Sequence, residues 1–184
     1  MDKKYLGDSF DIVKRFWAER LSAVAPLLAH PHFVPTSIKS QFEQMVGMRV
    51  LDKDEMPTEP FGLFLDPHTG VPLPRVARQS ATASHAPLAF IEAEFTRLKP
   101  RYVVCFDQSH DRVPDVSRLA QRALKRADLK ARHLVSFYYV SHAPFLFAAF
   151  DKSVLESLHS RLVNSGIPKW RFETEDLMID RGHR

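Results

Sequence analysis

Three short apolar runs, "FGLFLD" (61–66), "YVVCFD" (102–107) and "LVSFYYV" (134–140), lie along the chain with helix-length amphipathic segments between them. That alternation restricts the fold more than any other feature. Each run has the length of a strand and is apolar at nearly every position, the pattern of a strand covered on both faces. Strand and helix in alternation imply parallel neighbours joined by right-handed crossovers, with helices expected at about 88–98 and 114–131. After the third run the link "SHAP" is short, so "FLFAAFD" is expected to return as an antiparallel hairpin at the sheet edge. A helix at 153–165, with Val154, Leu155, Leu158 and Leu162 on one side and Gly166 as its stop, leads to the strand-like "KWRFE". The expected fold class is α/β: three-layer, with a mostly parallel sheet, an antiparallel edge hairpin and helices on both faces.

The first sixty residues are less regular. Apolar residues from Ile12 to Leu28 follow three-and-four spacing, which predicts one helix from Asp8 to Ala29, capped by Asp8 or Ser9. The carboxylates of "GDSFD" are read as caps, and Lys14 as the partner of Asp11 one turn away. "HPHFVPTS" reads as a loop, 36–47 as a short helix ending at Gly47, and "MRVLD" as a strand. Residues 67–87 hold four prolines and form a loop longer than a connection needs. A chain of 184 residues with 45% apolar content is expected to fold as one domain, 1–184, around its own core. The N-terminus lacks the apolar centre of a secretory signal and no run reaches membrane-span length, so a cytoplasmic protein without membrane contact is expected. The single cysteine, Cys105, excludes an internal disulfide framework and reads as a buried small hydrophobe.

In open α/β sheets, ligands bind outside the carboxyl ends of the strands. Here the first run ends in Asp66, Pro67 and His68, the second in Asp107, Gln108, Ser109, His110, Asp111 and Arg112, and the third in Ser141 and His142. On parallel strands these groups share one edge. Asp66, His68, Asp107, His110 and His142 are therefore the candidate catalytic set, with His110 or His142 as base, because a histidine titrates near neutrality and a carboxylate can orient it. Asp66, Asp107 and His110 are also the candidate ligands of a divalent metal. No His-Glu-x-x-His, Gly-x-Ser-x-Gly or phosphate-cradling glycine loop is present, which argues against a zincin, a serine hydrolase or a P-loop enzyme.

The formal charge of +4 is unevenly placed. Residues 112–132 carry seven basic side chains against two acidic ones. Val116, Leu119, Ala120, Ala123, Leu124 and Ala127 form an apolar stripe expected to face the core, which leaves Arg118, Arg122, Lys125 and Arg126 outward. With Arg112, these are the candidate phosphate-binding or nucleic-acid-binding residues.

In element order, "FLDPH", "YVVCFDQS" and the hairpin "SFYYVSHAPFLFAAF" resemble the second half of a class I methyltransferase, over about residues 60–150. "YLGDSFDIVKRFW" is similar to the Asp-x-x-Lys helix that opens the bacterial ribosomal-RNA adenine methyltransferases. The resemblance implies an adenine-side motif at Asp66 and Pro67, with His68 in place of a second proline. The chain lacks the family's glycine-rich motif for S-adenosylmethionine. The leading expectation is an intracellular, prokaryotic-type protein that binds or acts on nucleic acid, a nucleotide or another phosphate-containing ligand through the polar strand ends. One alternative is a non-catalytic methyltransferase-like binding module; another is a small-molecule hydrolase with the 67–87 loop as lid.

Overall fold

A computed structural model describes residues 6–74, 80–110 and 116–174. It is an α/β arrangement in which five α-helices pack with one open, six-stranded mixed sheet. In chain order the elements are α1 (Ser9–Leu21), β1 (Leu27–Ala29), α2 (Lys39–Val46), β2 (Gly62–Leu65), α3 (Leu88–Leu98), β3 (Tyr102–Phe106), α4 (Arg118–Ala131), β4 (Val135–Tyr139), β5 (Phe145–Ala149), α5 (Lys152–Asn164) and β6 (Phe172–Glu173). The strands lie side by side as β1-β2-β3-β5-β4-β6.

Two pairings, β1 with β2 and β2 with β3, are parallel; the three that follow are antiparallel, so the sheet is mixed and not mostly parallel. The β4–β5 hairpin forms as its short link requires, yet it does not sit at the edge. β5 inserts between β3 and β4, and the edges are β1 and the two-residue β6. Because β5 is antiparallel to both neighbours, β4 runs in the same sense as β3. The carboxyl ends of β1, β2, β3 and β4 therefore share one edge.

The expected first helix is interrupted. α1 stops at Leu21, and Pro26, which cannot donate a helical amide bond, precedes β1, where Leu27 to Ala29 are all buried. Three-and-four spacing of leucines thus ran through two elements of different kind. "MRVLD" supplies only an isolated bridge, Val50 beside Ala29. Asp8 caps α1 as expected, accepting from the amides of Phe10 (2.8 Å) and Asp11 (3.3 Å).

Alternate residues of each strand feed two apolar clusters. Phe64, Tyr102, Val104, Phe137, Phe145 and Phe147 pack with Trp17 and Leu21 of α1, Phe42 of α2 and Leu155, Leu158 and Leu162 of α5. Leu63, Leu65, Val103, Cys105, Tyr138 and Leu146 pack with Ile91 and Phe95 of α3 and Leu129 of α4. Burying so many aliphatic and aromatic side chains, each contributing about 1.5–3 kcal/mol, holds the strand ends in register with the helices.

α4 departs most from its sequence pattern. Leu119 and Leu124, expected in the core, are 52% and 53% exposed, whereas Lys125 and Arg126, expected outside, are 1% and 3% exposed. Gln121 is buried with them. Polar chemistry at the end of β3 explains the inversion.

Candidate functional site

Two buried carboxylates terminate β2 and β3, and each holds a lysine. Asp66 accepts from Lys14 Nζ at 2.8 Å, and the same ammonium donates to Asp11 Oδ1 at 3.0 Å. The amide of Gly7 donates to the other Asp11 oxygen at 2.7 Å. Burial works against the Lys14 charge, but the Asp66 and Asp11 carboxylates outweigh it and raise its pKa above the ordinary lysine value. Lys14 is thus more than a partner for Asp11: it joins α1 to the end of β2.

Asp107 is more heavily bonded. Its Oδ1 accepts from the amides of Val71 (2.9 Å) and Ser109 (3.1 Å); its Oδ2 accepts from Lys125 Nζ (2.8 Å) and the Tyr138 hydroxyl (2.7 Å). The Ser109 hydroxyl lies 2.7 Å from Oδ1, touches the Val71 carbonyl and accepts from Lys125 at 2.9 Å. Burial and the neighbouring Asp107 push the Tyr138 hydroxyl well above its usual pKa, so it stays a donor. This network turns α4. An ionised carboxylate in the interior needs a cation, and Lys125 can supply one only if the charged side of the helix faces the sheet.

The loop after β2 closes over the same carboxylate. Gly70 has φ +129°, and a Cβ there would stand 2.3 Å from Asp107 Oδ1 and 2.6 Å from its Cα. Only glycine fits this crossing, which brings the Val71 amide onto Asp107. "FLDPHTG" therefore encodes two connections, Asp66 to α1 and Gly70 to β3.

The candidate histidines stand at the surface. His68 and His142 are exposed; His110, also exposed, has Nε2 at 3.4 Å from an Arg118 terminal nitrogen and Nδ1 at 3.2 Å from the Gln108 carbonyl. The Gln108 amide donates to the His142 carbonyl at 2.8 Å, tying the β3 end to the β4–β5 turn. His142 packs on Phe10 of α1, ring centres 5.5 Å apart. Asp107, Gln108, Ser109, His110, Arg118, Arg122, Val140, Ser141, His142 and Pro144 enclose a cleft of about 430 Å³.

Of the expected site residues, the cleft collects Asp107, His110, His142, Arg118 and Arg122. Asp66 is held apart on Lys14. The metal set of Asp66, Asp107 and His110 is not assembled: among the described residues no three His, Cys, Asp or Glu side chains are placed to hold a metal ion. Arg122 faces the cleft but is bound at two points by Glu173 (2.9 and 2.6 Å), which raises its pKa further. Lys125 and Arg126 are buried and present no surface to a polymer. Arg112 and most of the stretch before α4 lie outside the described residues.

His30 and His32, outside the candidate set, follow β1 and so stand on the same edge. His30 is buried, with Nδ1 accepting from the His32 amide at 3.1 Å and Nε2 3.3 Å from Glu94 without hydrogen-bond alignment. Burial raises the Glu94 carboxyl, but His30 and Arg97 outweigh it and hold the pKa below the usual range. The signal available was a histidine directly after a buried "LLA", hidden because that run was read as helix. No described helix is long and apolar enough to cross a membrane. Compared with protein-family models, with curated proteins and with solved structures, the chain gives no match.

Proposed function

We propose that the protein binds a phosphate-bearing ligand, a nucleotide or nucleic acid, in the cleft at the carboxyl ends of β3 and β4. The observation that carries this reading is the division of labour among the charges. Asp66 and Asp107 are buried and already engaged by Lys14 and Lys125, while Arg118, His110 and His142 line or border open space. Asp107, which accepts from two amides, Lys125 and Tyr138, has little capacity left to ligate a metal. In this reading Asp66 and Asp107 hold the architecture, and the cleft offers an incoming ligand a guanidinium and imidazoles, a set suited to phosphate oxygens.

The test is fluorescence anisotropy of a labelled single-stranded oligonucleotide, with inorganic pyrophosphate as competitor. Arg118→Ala is expected to weaken binding about tenfold and to reduce the slope of log K against log salt by about 0.7, the value for one phosphate contact on a single strand. Binding unchanged in that variant sinks the proposal.

A second reading, a non-catalytic methyltransferase-like module, is supported by one contact: Lys14 of the Asp-x-x-Lys segment reaches Asp66 of "FLDPH" at 2.8 Å. It shares the cleft and differs in expecting no rise in melting temperature when inorganic pyrophosphate is added.

A further inference from the structure

We infer that Trp170 and Arg171 form a base-stacking subsite at the mouth of the cleft, so that the ligand is a single-stranded polynucleotide and not a lone phosphate compound. The inference rests on the phosphate reading above and specifies it. Trp170 is 72% exposed, the most exposed large apolar side chain among the described residues. Its ring is covered on one side by the Arg171 guanidinium, 4.2 Å from the ring centre. That guanidinium also donates to the Val140 carbonyl at 3.2 Å, and the Val140 amide donates to the Arg171 carbonyl at 2.7 Å. Val140 lines the cleft. One guanidinium thus spans the distance between the exposed ring and the cleft wall.

The strand register agrees. β6 pairs with β4 through Glu173 beside Tyr138 and Phe172 beside Tyr139, and a single 3-10 turn, Lys169–Arg171, precedes it, tied to the end of β4 at Val140. The Arg122–Glu173 pair fixes α4 against β6. From that pair, Arg118 lies one helical turn, about 6 Å, toward the edge, and Trp170 precedes Glu173 by three residues, within the turn. A ring with a cation stacked on it, joined through the Val140 carbonyl to the cleft that Arg118 and His110 line, fits a nucleobase joined to a phosphate. Phe10 packs against His142, which lines the cleft and gives it a second flat surface. Base stacking on an aromatic tolerates any sequence and needs bases that are not paired.

The chain carries its own reporter. Of its two tryptophans, Trp17 is 1% exposed in the core and Trp170 is open, so ligand-dependent quenching reports on Trp170. Single-stranded RNA and DNA heptamers are expected to quench emission saturably; the matching duplexes and pyrophosphate are expected to leave it nearly unchanged. Trp170→Ala should weaken heptamer binding by roughly 5- to 100-fold, Trp170→Phe should keep most of it, and neither should alter the thermal melt. Heptamer binding that depends on Arg118 but shows no quenching and no loss in Trp170→Ala overturns the stacking subsite and leaves the phosphate reading standing. Absence of binding by heptamers and pyrophosphate alike overturns both. The RNA and DNA arms decide which polymer is preferred.

Discussion

The orientation of α4 can be put to a direct test through Lys125→Met. Methionine keeps the length of the aliphatic stem and removes the charge, so the perturbation is the loss of the ammonium from Asp107, in a pair whose side chains are 1% and 0% exposed. Breaking a buried pair from one side costs about 3–5 kcal/mol, because the remaining charge stays desolvated. Asp107 keeps the amides of Val71 and Ser109 and the Tyr138 hydroxyl, so we place the loss at the lower end, about 3 kcal/mol. Urea unfolding followed by circular dichroism should show this as a midpoint shift of about 1–2 M. Adding Asp107→Asn removes the stranded charge, and the double variant should recover part of the loss, with a coupling of about 2 kcal/mol. Leu124→Gln, at a site 53% exposed, should change stability by no more than about 0.5 kcal/mol. The opposite pattern, with Lys125→Met neutral and Leu124→Gln costly, would mean that the apolar stripe faces the core and that the described network does not exist.

Two further perturbations probe the surroundings. Gly70→Ala must place a methyl group against Asp107 at a backbone angle that alanine avoids, and should cost about 2 kcal/mol or more in the same urea assay; a neutral result would refute the crossing of that loop over β3. Burial, with Lys169 nearby, lowers the pKa of His159, and burial with His30 nearby lowers that of His32. The folded state therefore binds fewer protons than the unfolded state between the depressed values and the ordinary histidine value near 6.5. Stability should accordingly be complete above about pH 6.5 and fall as pH drops below it, with the melting temperature decreasing from about pH 7 to 5. His159→Gln should flatten that decline, and an unchanged slope would remove His159 as a cause.

The parts legible in the sequence were those where one local rule acts alone. The apolar runs that became β2, β3 and β4 needed no partner to be recognised, and α3 and α5 obeyed their spacing because each lays a single apolar stripe on the sheet. Where two demands met on one segment, periodicity followed the wrong one. The leucines after α1 keep helical phase through Pro26, but the proline ends the helix and the parallel register beside Gly62 to Phe64 takes Leu27 to Ala29 into the sheet. In α4 the apolar stripe is plain, yet the buried Asp107 requires a cation, and only the opposite side of the helix carries Lys125. The carboxylate sits in one part of the chain and its partner eighteen residues on, across a stretch whose geometry no local pattern gives. The site follows the same logic. Asp66 and Asp107 stood out as polar residues ending apolar runs, which located the edge correctly, but their neutralisation by Lys14 and Lys125 is a tertiary fact. With those charges settled internally, the proposed ligand would meet Arg118, His110, His142 and the open ring of Trp170.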